Sequence, residues 1–322
     1  MTDEGKLNLL MSMGFDVSQS QRALSLCNGD VDLAVDRILS GHVPDASSEQ
    51  ETRDRLSISS IPENMNTTRS PHMIQTKISQ YSIENGRSAC TCIALQTAST
   101  TLQILNEKCS RNESPTKFIT QDHLQTVLIS GIAMYNDLVN SNSDTSVEHL
   151  SPEEVINSLQ VQVAQKTNTN ADIKIKSLGA VMQGVLTADN GNGPLGLKHI
   201  IEGCASSKSE SRKDDEWMAL VITKTPETLC IFLPPKNFMA DVGDSDSVHS
   251  FIVIDSHPRP TLGTEGCYAI CHSSMDDLIT SLQKIFPVTE LGNDVGEIMA
   301  AMYNSFDVYP LQYEHVESSL DK

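Results

Sequence analysis

Phe251-Ile252-Val253-Ile254-Asp255-Ser256-His257-Pro258-Arg259 is an apolar, β-branched run that ends on an aspartate, a histidine and a proline. Such a run, from Ser250 to Ser256, reads as a buried strand, and Pro258 stops it. Three similar runs flank it: Trp217 to Thr223, Thr228 to Leu233 and Cys267 to His272. All are short and mostly apolar, as strands covered on both faces are. Upstream the period is helical. Helices are predicted from about Ala89 to Leu105, from about Thr120 to Val139, after Ser151-Pro152-Glu153-Glu154, and from Leu195 to Cys204. Ser274 caps one more, Met275 to Ile285, which stops before Pro287. Helices first and a sheet afterwards predict an α+β domain over residues 75–322 with a two-lobed cleft.

Two segments of this domain carry residues fit for chemistry. Side chains two apart on a strand share a face, so Asp255 and His257 stand side by side. An aspartate there orients the imidazole and favours its protonated form, leaving the other ring nitrogen for a cysteine. Pro258 would leave His257 at the strand's open end, at the mouth of the cleft. The second segment is Gln80-Tyr81-Ser82-Ile83-Glu84-Asn85-Gly86-Arg87-Ser88-Ala89-Cys90-Thr91-Cys92-Ile93-Ala94-Leu95. Here a glycine-containing loop enters a helix with Cys90 in its first turn. The free N–H groups and positive dipole end of a helix start favour a thiolate. The same groups can bind the oxyanion formed when that sulfur attacks a carbonyl, and the Gln80 amide is suited to be a further donor.

Other residues rank lower on physical grounds. Cys92 lies roughly 200° around the helix from Cys90. His249 follows an acidic loop, Asp241 to Ser247, and lacks a strand-paired carboxylate. His272 reads as the end of a strand; His199 and His123 sit in helical patterns with packing or surface roles. The cysteines at 27, 109, 204, 230, 267 and 271, and Trp217, read as packing residues.

Taken together, Ser79-Gln80, Gly86 with Cys90 opening a helix, and the strand ending Asp255-Ser256-His257 resemble the papain-like deubiquitinase domain of herpesvirus large tegument proteins. The resemblance implies a helical part packed on a mostly antiparallel sheet. It implies Cys90 as nucleophile, His257 as base, Asp255 as its orienter, and Gln80 as part of the oxyanion hole. No cofactor or metal is implied.

Residues 1–42 have a different organisation. A first short helix spans about Gly5 to Ser12, with Leu7, Leu10 and Met11 at helical spacing, and stops at Met13-Gly14-Phe15. Gly14 can take a backbone conformation that a β-carbon resists. Asp16 or Ser18 caps a second helix running to about Cys27, with Ala23 and Leu26 facing inward. Asn28-Gly29 makes the next turn. Asp30 caps a third helix carrying Val31, Ala34, Val35, Ile38 and Leu39. Met13-Gly14-Phe15, then Asn28-Gly29-Asp30-Val31-Asp32, then Ala34-Val35-Asp36-Arg37-Ile38-Leu39 closely resemble the ubiquitin-associated (UBA) family of three-helix domains. The resemblance implies that Met13, Gly14, Phe15, Asp36 and Leu39 dock the apolar patch of ubiquitin. An apolar loop beside an exposed leucine is a patch that a small monomer has little reason to display.

Between the two, residues 43–74 are rich in Ser, Thr, Glu, Asn, Pro and Arg without sustained periodicity. Such a stretch cannot bury enough apolar surface to offset its ordering entropy, and reads as a flexible linker. Its r.m.s. span is on the order of 30 Å. The net charge of the 322 residues is −19, which disfavours a nucleic-acid partner. No apolar run approaches the roughly 20 residues that span a bilayer, and MTDEGKLNLL is acidic where a secretory signal is basic. The expected location is therefore cytosol or nucleus, where the eight cysteines stay reduced. The function these features predict is a cysteine-dependent deubiquitinase whose UBA captures ubiquitin or ubiquitylated proteins. The alternatives are a non-catalytic ubiquitin-binding adaptor and, third, a Cys-dependent ubiquitin transferase.

Overall fold

The computed structural model describes residues 3–12, 16–27, 29–39, 71–109, 114–141, 149–164, 173–187, 193–206, 213–236, 250–291 and 296–314. Contacts divide the chain into two units, Met1–Ser70 with Pro287–Tyr303, and Pro71–Phe286 with Asn304–Lys322.

The first unit contains helices α1 (Asp3–Ser12), α2 (Val17–Leu26) and α3 (Val31–Leu39). Asp16 starts α2 by accepting from the N–H groups of Ser18 and Gln19 at 2.8 and 3.1 Å, and Asp30 starts α3 by accepting from Leu33 at 3.0 Å. Each bond satisfies a donor that the helix itself leaves unpaired. The core is small: Leu10, Ala23, Cys27, Ala34 and Ile38 are buried, with Leu24, Val31, Leu33 and Val35 packed around them. One expectation shifts by a position: Leu26 is 47% exposed and Cys27 takes the inward place. On the first helix Leu10 is fully buried, as its spacing predicts, while Met11 is exposed. In so small a bundle each short helix turns one stripe inward.

The second unit is built on one sheet, and its described strands are all antiparallel. In chain order they are β1 (His72–Gln75), β2 (Ile175–Ser177), β3 (Met182–Val185), β4 (Met218–Lys224), β5 (Glu227–Leu233), β6 (Phe251–Asp255), β7 (Tyr268–His272) and β8 (Ser305–Tyr313). The spatial order is β1-β7-β6-β5-β4-β8-β2, with β3 also on β8. The four apolar runs read from sequence are the central β4 to β7, and every residue of β5, β6 and β7 is buried. β1 begins within the stretch read as linker, at His72, where it pairs with Cys271. The rest of that linker up to residue 70 lies outside the described residues.

β8 was invisible to the pattern because it contains Pro310, which cannot donate to a ladder. The structure accommodates it simply. On the side of β8 away from β4, β3 pairs with 305–308 and β2 with 311–313, so Pro310 falls between the two short partners.

The helices of this unit are α4 (Cys90–Lys108), α5 (Gln121–Ser141), α6 (Pro152–Ala164), α7 (Leu197–Ser206) and α8 (Met275–Ile285); α9 (Glu297–Tyr303) falls in the first unit. The predicted helix starts hold: Ser151 and Glu154 exchange reciprocal capping bonds, and the Ser274 hydroxyl accepts from the Asp277 N–H. α4 is buried nearly all round. Cys92, Ala94, Leu95, Ala98, Leu102 and Leu105 join residues of α5, β4, β5, β6 and β7 in one core. That pins the start of α4 at the end of the sheet where β5 begins and β6 finishes.

Candidate active site

The residues singled out from sequence gather at this end of the sheet. Asp255 is the last residue of β6, and His257 follows two positions later. One carboxylate oxygen of Asp255 bonds His257 Nδ1 at 2.6 Å and accepts from the His257 backbone N–H at 2.9 Å. The other accepts from Arg259 Nε at 2.8 Å and from the Tyr268 hydroxyl at 3.2 Å. Tyr268 lies opposite Asp255 in the β6–β7 register, which brings the hydroxyl to it. Among the described residues Arg259 is the largest fully buried side chain; its guanidinium also pairs with Glu227 at the start of β5, at 2.8 Å, and lies 6.0 Å from the Phe286 ring centre.

This is a buried ionic cluster, and its charges decide each other's state. Burial alone would raise the Asp255 carboxyl, but the Arg259 guanidinium and His257 outweigh it and hold the group well below the usual carboxylate range. Burial opposes the His257 imidazolium, while Tyr81, Asp255 and Glu227 favour it, and the direction is upward. Charge balance supports that direction. Asp255 and Glu227 both face Arg259, and a protonated His257 compensates the second carboxylate.

Cys90 is the first residue of α4, and no side chain caps that helix start. Its thiol points to the Pro226 carbonyl, in the β4–β5 turn one residue before Glu227, at 3.5 Å. The Tyr81 ring meets the His257 ring edge-on with centres 5.9 Å apart, and the Tyr81 hydroxyl lies within electrostatic reach of both His257 and Cys90. Cys90 and His257 are both buried, 3% and 2% exposed. His257 thus does not stand at an open cleft mouth as the strand pattern predicts. The strand ends at Asp255, and the chain turns inward to satisfy Arg259.

Gln80 completes the cluster. It starts a one-turn helix, Gln80–Ser82, whose cap Ser79 forms a capping box with Ser82. The Gln80 amide donates through Nε2 to the Arg87 carbonyl at 3.1 Å and accepts through Oε1 from the Ser256 hydroxyl at 2.7 Å. Gly86 packs so tightly beneath that a β-carbon there would strike the Gln80 carbonyl. Only glycine lets the loop fold back on Gln80 before Cys90.

The lower-ranked residues behave as packing groups. Cys92 is fully buried, and burial, with Cys90 nearby, pushes its thiol upward. His123 bonds the Thr101 hydroxyl at 2.8 Å, and burial lowers it to about 4. His272 ends β7 as predicted. His249 lies outside the described residues. Sequence reasoning missed Tyr81, Glu227, Ser256, Arg259 and Tyr268 as members of the site. One signal was available: an arginine four residues from an aspartate, directly after a wholly apolar strand, is a charge headed for burial and needs a partner.

A family profile for the UBA/TS-N domain matches residues 3–38. Residues 3–38 are a UBA domain. The UBA domain supports ubiquitin binding. No curated protein matches the chain. Of the UBA positions expected to dock ubiquitin, Met13, Gly14 and Phe15 lie outside the described residues, as do the side chains of Asp36 and Leu39. Among the described residues, no helix is long and apolar enough to cross a membrane.

Proposed function

We propose that the second unit is a papain-like cysteine deubiquitinase, acting in the cytosol or nucleus on ubiquitin conjugates held by the UBA domain. The observation that carries this reading is the buried Asp255–His257 pair at 2.6 Å, at the same end of the sheet where Cys90 opens an uncapped helix. In this reading Cys90 has given its thiol proton up to solvent while His257 is protonated, and the Cys90 thiolate attacks the carbonyl carbon of ubiquitin's C-terminal glycine. The oxyanion takes hydrogen bonds from the Gln80 amide and the first-turn N–H groups of α4. His257 gives its proton to the departing lysine amine, leaving a thioester. Water then gives one proton to the now neutral His257 as its oxygen attacks the thioester, and collapse releases the ubiquitin carboxylate and a proton to solvent and restores the Cys90 thiolate with His257 protonated. Asp255 fixes the Nδ1 side of the ring throughout and stabilises the imidazolium.

The test is hydrolysis of di-ubiquitin by the full chain and by Cys90→Ala. Wild type yields monoubiquitin and the variant yields none; equal cleavage by both would remove Cys90 from the mechanism.

Burial of both Cys90 and His257 favours a second reading, a non-catalytic adaptor in which the UBA domain carries ubiquitylated cargo and the second unit holds a partner. That reading predicts an inert wild type, unchanged cargo turnover in Cys90→Ala, and loss on changing Met13 and Leu39.

A further inference from the structure

We infer that Ser256, the residue between Asp255 and His257, is a positioning residue that locks the Gln80 amide with one N–H facing the loop before Cys90 and the other left for a substrate oxygen. The inference rests on the deubiquitinase reading above and deepens it. Ser256 sits just past the end of β6, and its hydroxyl meets Gln80, 176 positions earlier in the chain, at 2.7 Å. The backbone adds a parallel tie, with the Gln80 N–H donating to the Ser256 carbonyl at 3.3 Å.

The chemistry of the amide fixes its direction. A carbonyl oxygen only accepts, so the Gln80 end facing Arg87 must be the NH2 end. The Oε1 end then faces Ser256, whose hydroxyl must donate. Both Gln80 and Ser256 are buried, 1% and 3% exposed, so no solvent competes for these bonds. An oxyanion donor works by being in place before charge develops, and a donor held at both ends pays no reorganisation at that moment. The strand that carries the base thus also aims the oxyanion donor.

The experiment compares wild type, Ser256→Ala, Gln80→Ala and the double variant on ubiquitin carrying a C-terminal fluorogenic amide. Alkylation of Cys90 by iodoacetamide runs alongside, because that displacement forms no oxyanion. Ser256→Ala is expected to lower kcat about tenfold, the scale of one lost hydrogen bond, with KM and the alkylation rate unchanged. In the Gln80→Ala background the same change is expected to cost nothing further, because both act through one amide. 15N relaxation is expected to give the Gln80 side-chain amide a lower order parameter in Ser256→Ala than in wild type. An additive double variant, a loss carried by KM or by alkylation, or an unchanged Gln80 amide would each overturn the assignment. A Cys90→Ala chain that hydrolyses the substrate as well as wild type strikes the deubiquitinase reading itself, and the catalytic use of the amide goes with it.

Discussion

The UBA domain and the second unit reach order by opposite routes. In the UBA domain every structural device is local. Asp16 and Asp30 cap helices within three residues of themselves, and the core of Leu10, Ala23, Cys27, Ala34 and Ile38 comes from one short stretch of chain. In the second unit the site adds ties across the chain to local pairs such as Asp255 with His257. Gln80 meets Ser256, Cys90 meets Pro226, and Glu227 meets Arg259. Local devices can be read residue by residue; long-range ones exist only once the sheet has registered its strands. The difference predicts where a single change is absorbed and where it spreads.

The largest effect is expected at Arg259. Arg259→Met leaves Asp255 and Glu227 buried without their cation, and breaking such a cluster costs about 3–5 kcal/mol. Urea unfolding monitored in the second unit should show the loss while UBA amides keep their protection. Equal loss in both units would erase the contrast between them.

Gln80→Ala comes next. Under the proposed mechanism Gln80 is one oxyanion donor, and its removal is expected to lower ubiquitin hydrolysis about 10²–10³-fold. Affinity for ubiquitin chains, carried by the UBA domain, should stay at the wild-type value. A fall in affinity with no fall in rate would reverse the roles assigned to the two regions.

His123 sharpens the comparison through pH. An unfolded histidine titrates near its ordinary value of about 6.5, whereas burial holds His123 at about 4. The unfolded chain therefore binds the extra proton between those values. The stability is whole above about pH 6.5 and drains as pH falls towards 4, by about 3 kcal/mol over that window. In His123→Gln, the urea midpoint of the second unit should fall less between pH 7 and pH 4.5 than it does in wild type. Parallel falls would remove His123 from the account.

The smallest effect belongs to the UBA domain. Asp16→Ala removes two capping bonds and is expected to cost about 1 kcal/mol, visible as faster amide exchange in α2 alone. A change at the Gln80 or His257 resonances would show that the cap is not the local device described.

What could be read beforehand follows the same division. The UBA domain was legible because caps, turns and apolar stripe all fall inside one window. Strands β4 to β7 were legible because burial on both faces makes them continuous apolar runs. β2 and β3 were missed because each is only three or four residues long and half exposed, and β8 because Pro310 interrupts its pattern. Cys90, Asp255, His257 and Gln80 could be picked out as candidates by residue type at a helix start and a strand end. Tyr81, Glu227 and Arg259 were not. Their roles depend on which charges end up buried together, and that is set by the β5–β6–β7 register rather than by neighbours in the chain.

The most direct test of the proposed acyl-transfer centre, with its residues so far apart in the chain, is covalent capture. Ubiquitin bearing an electrophile in place of its C-terminal carboxylate, incubated with the full chain, should give a single adduct whose modified peptide contains Cys90, and Cys90→Ala should give none. An unmodified wild-type chain, or an adduct that persists in the variant, would contradict the account.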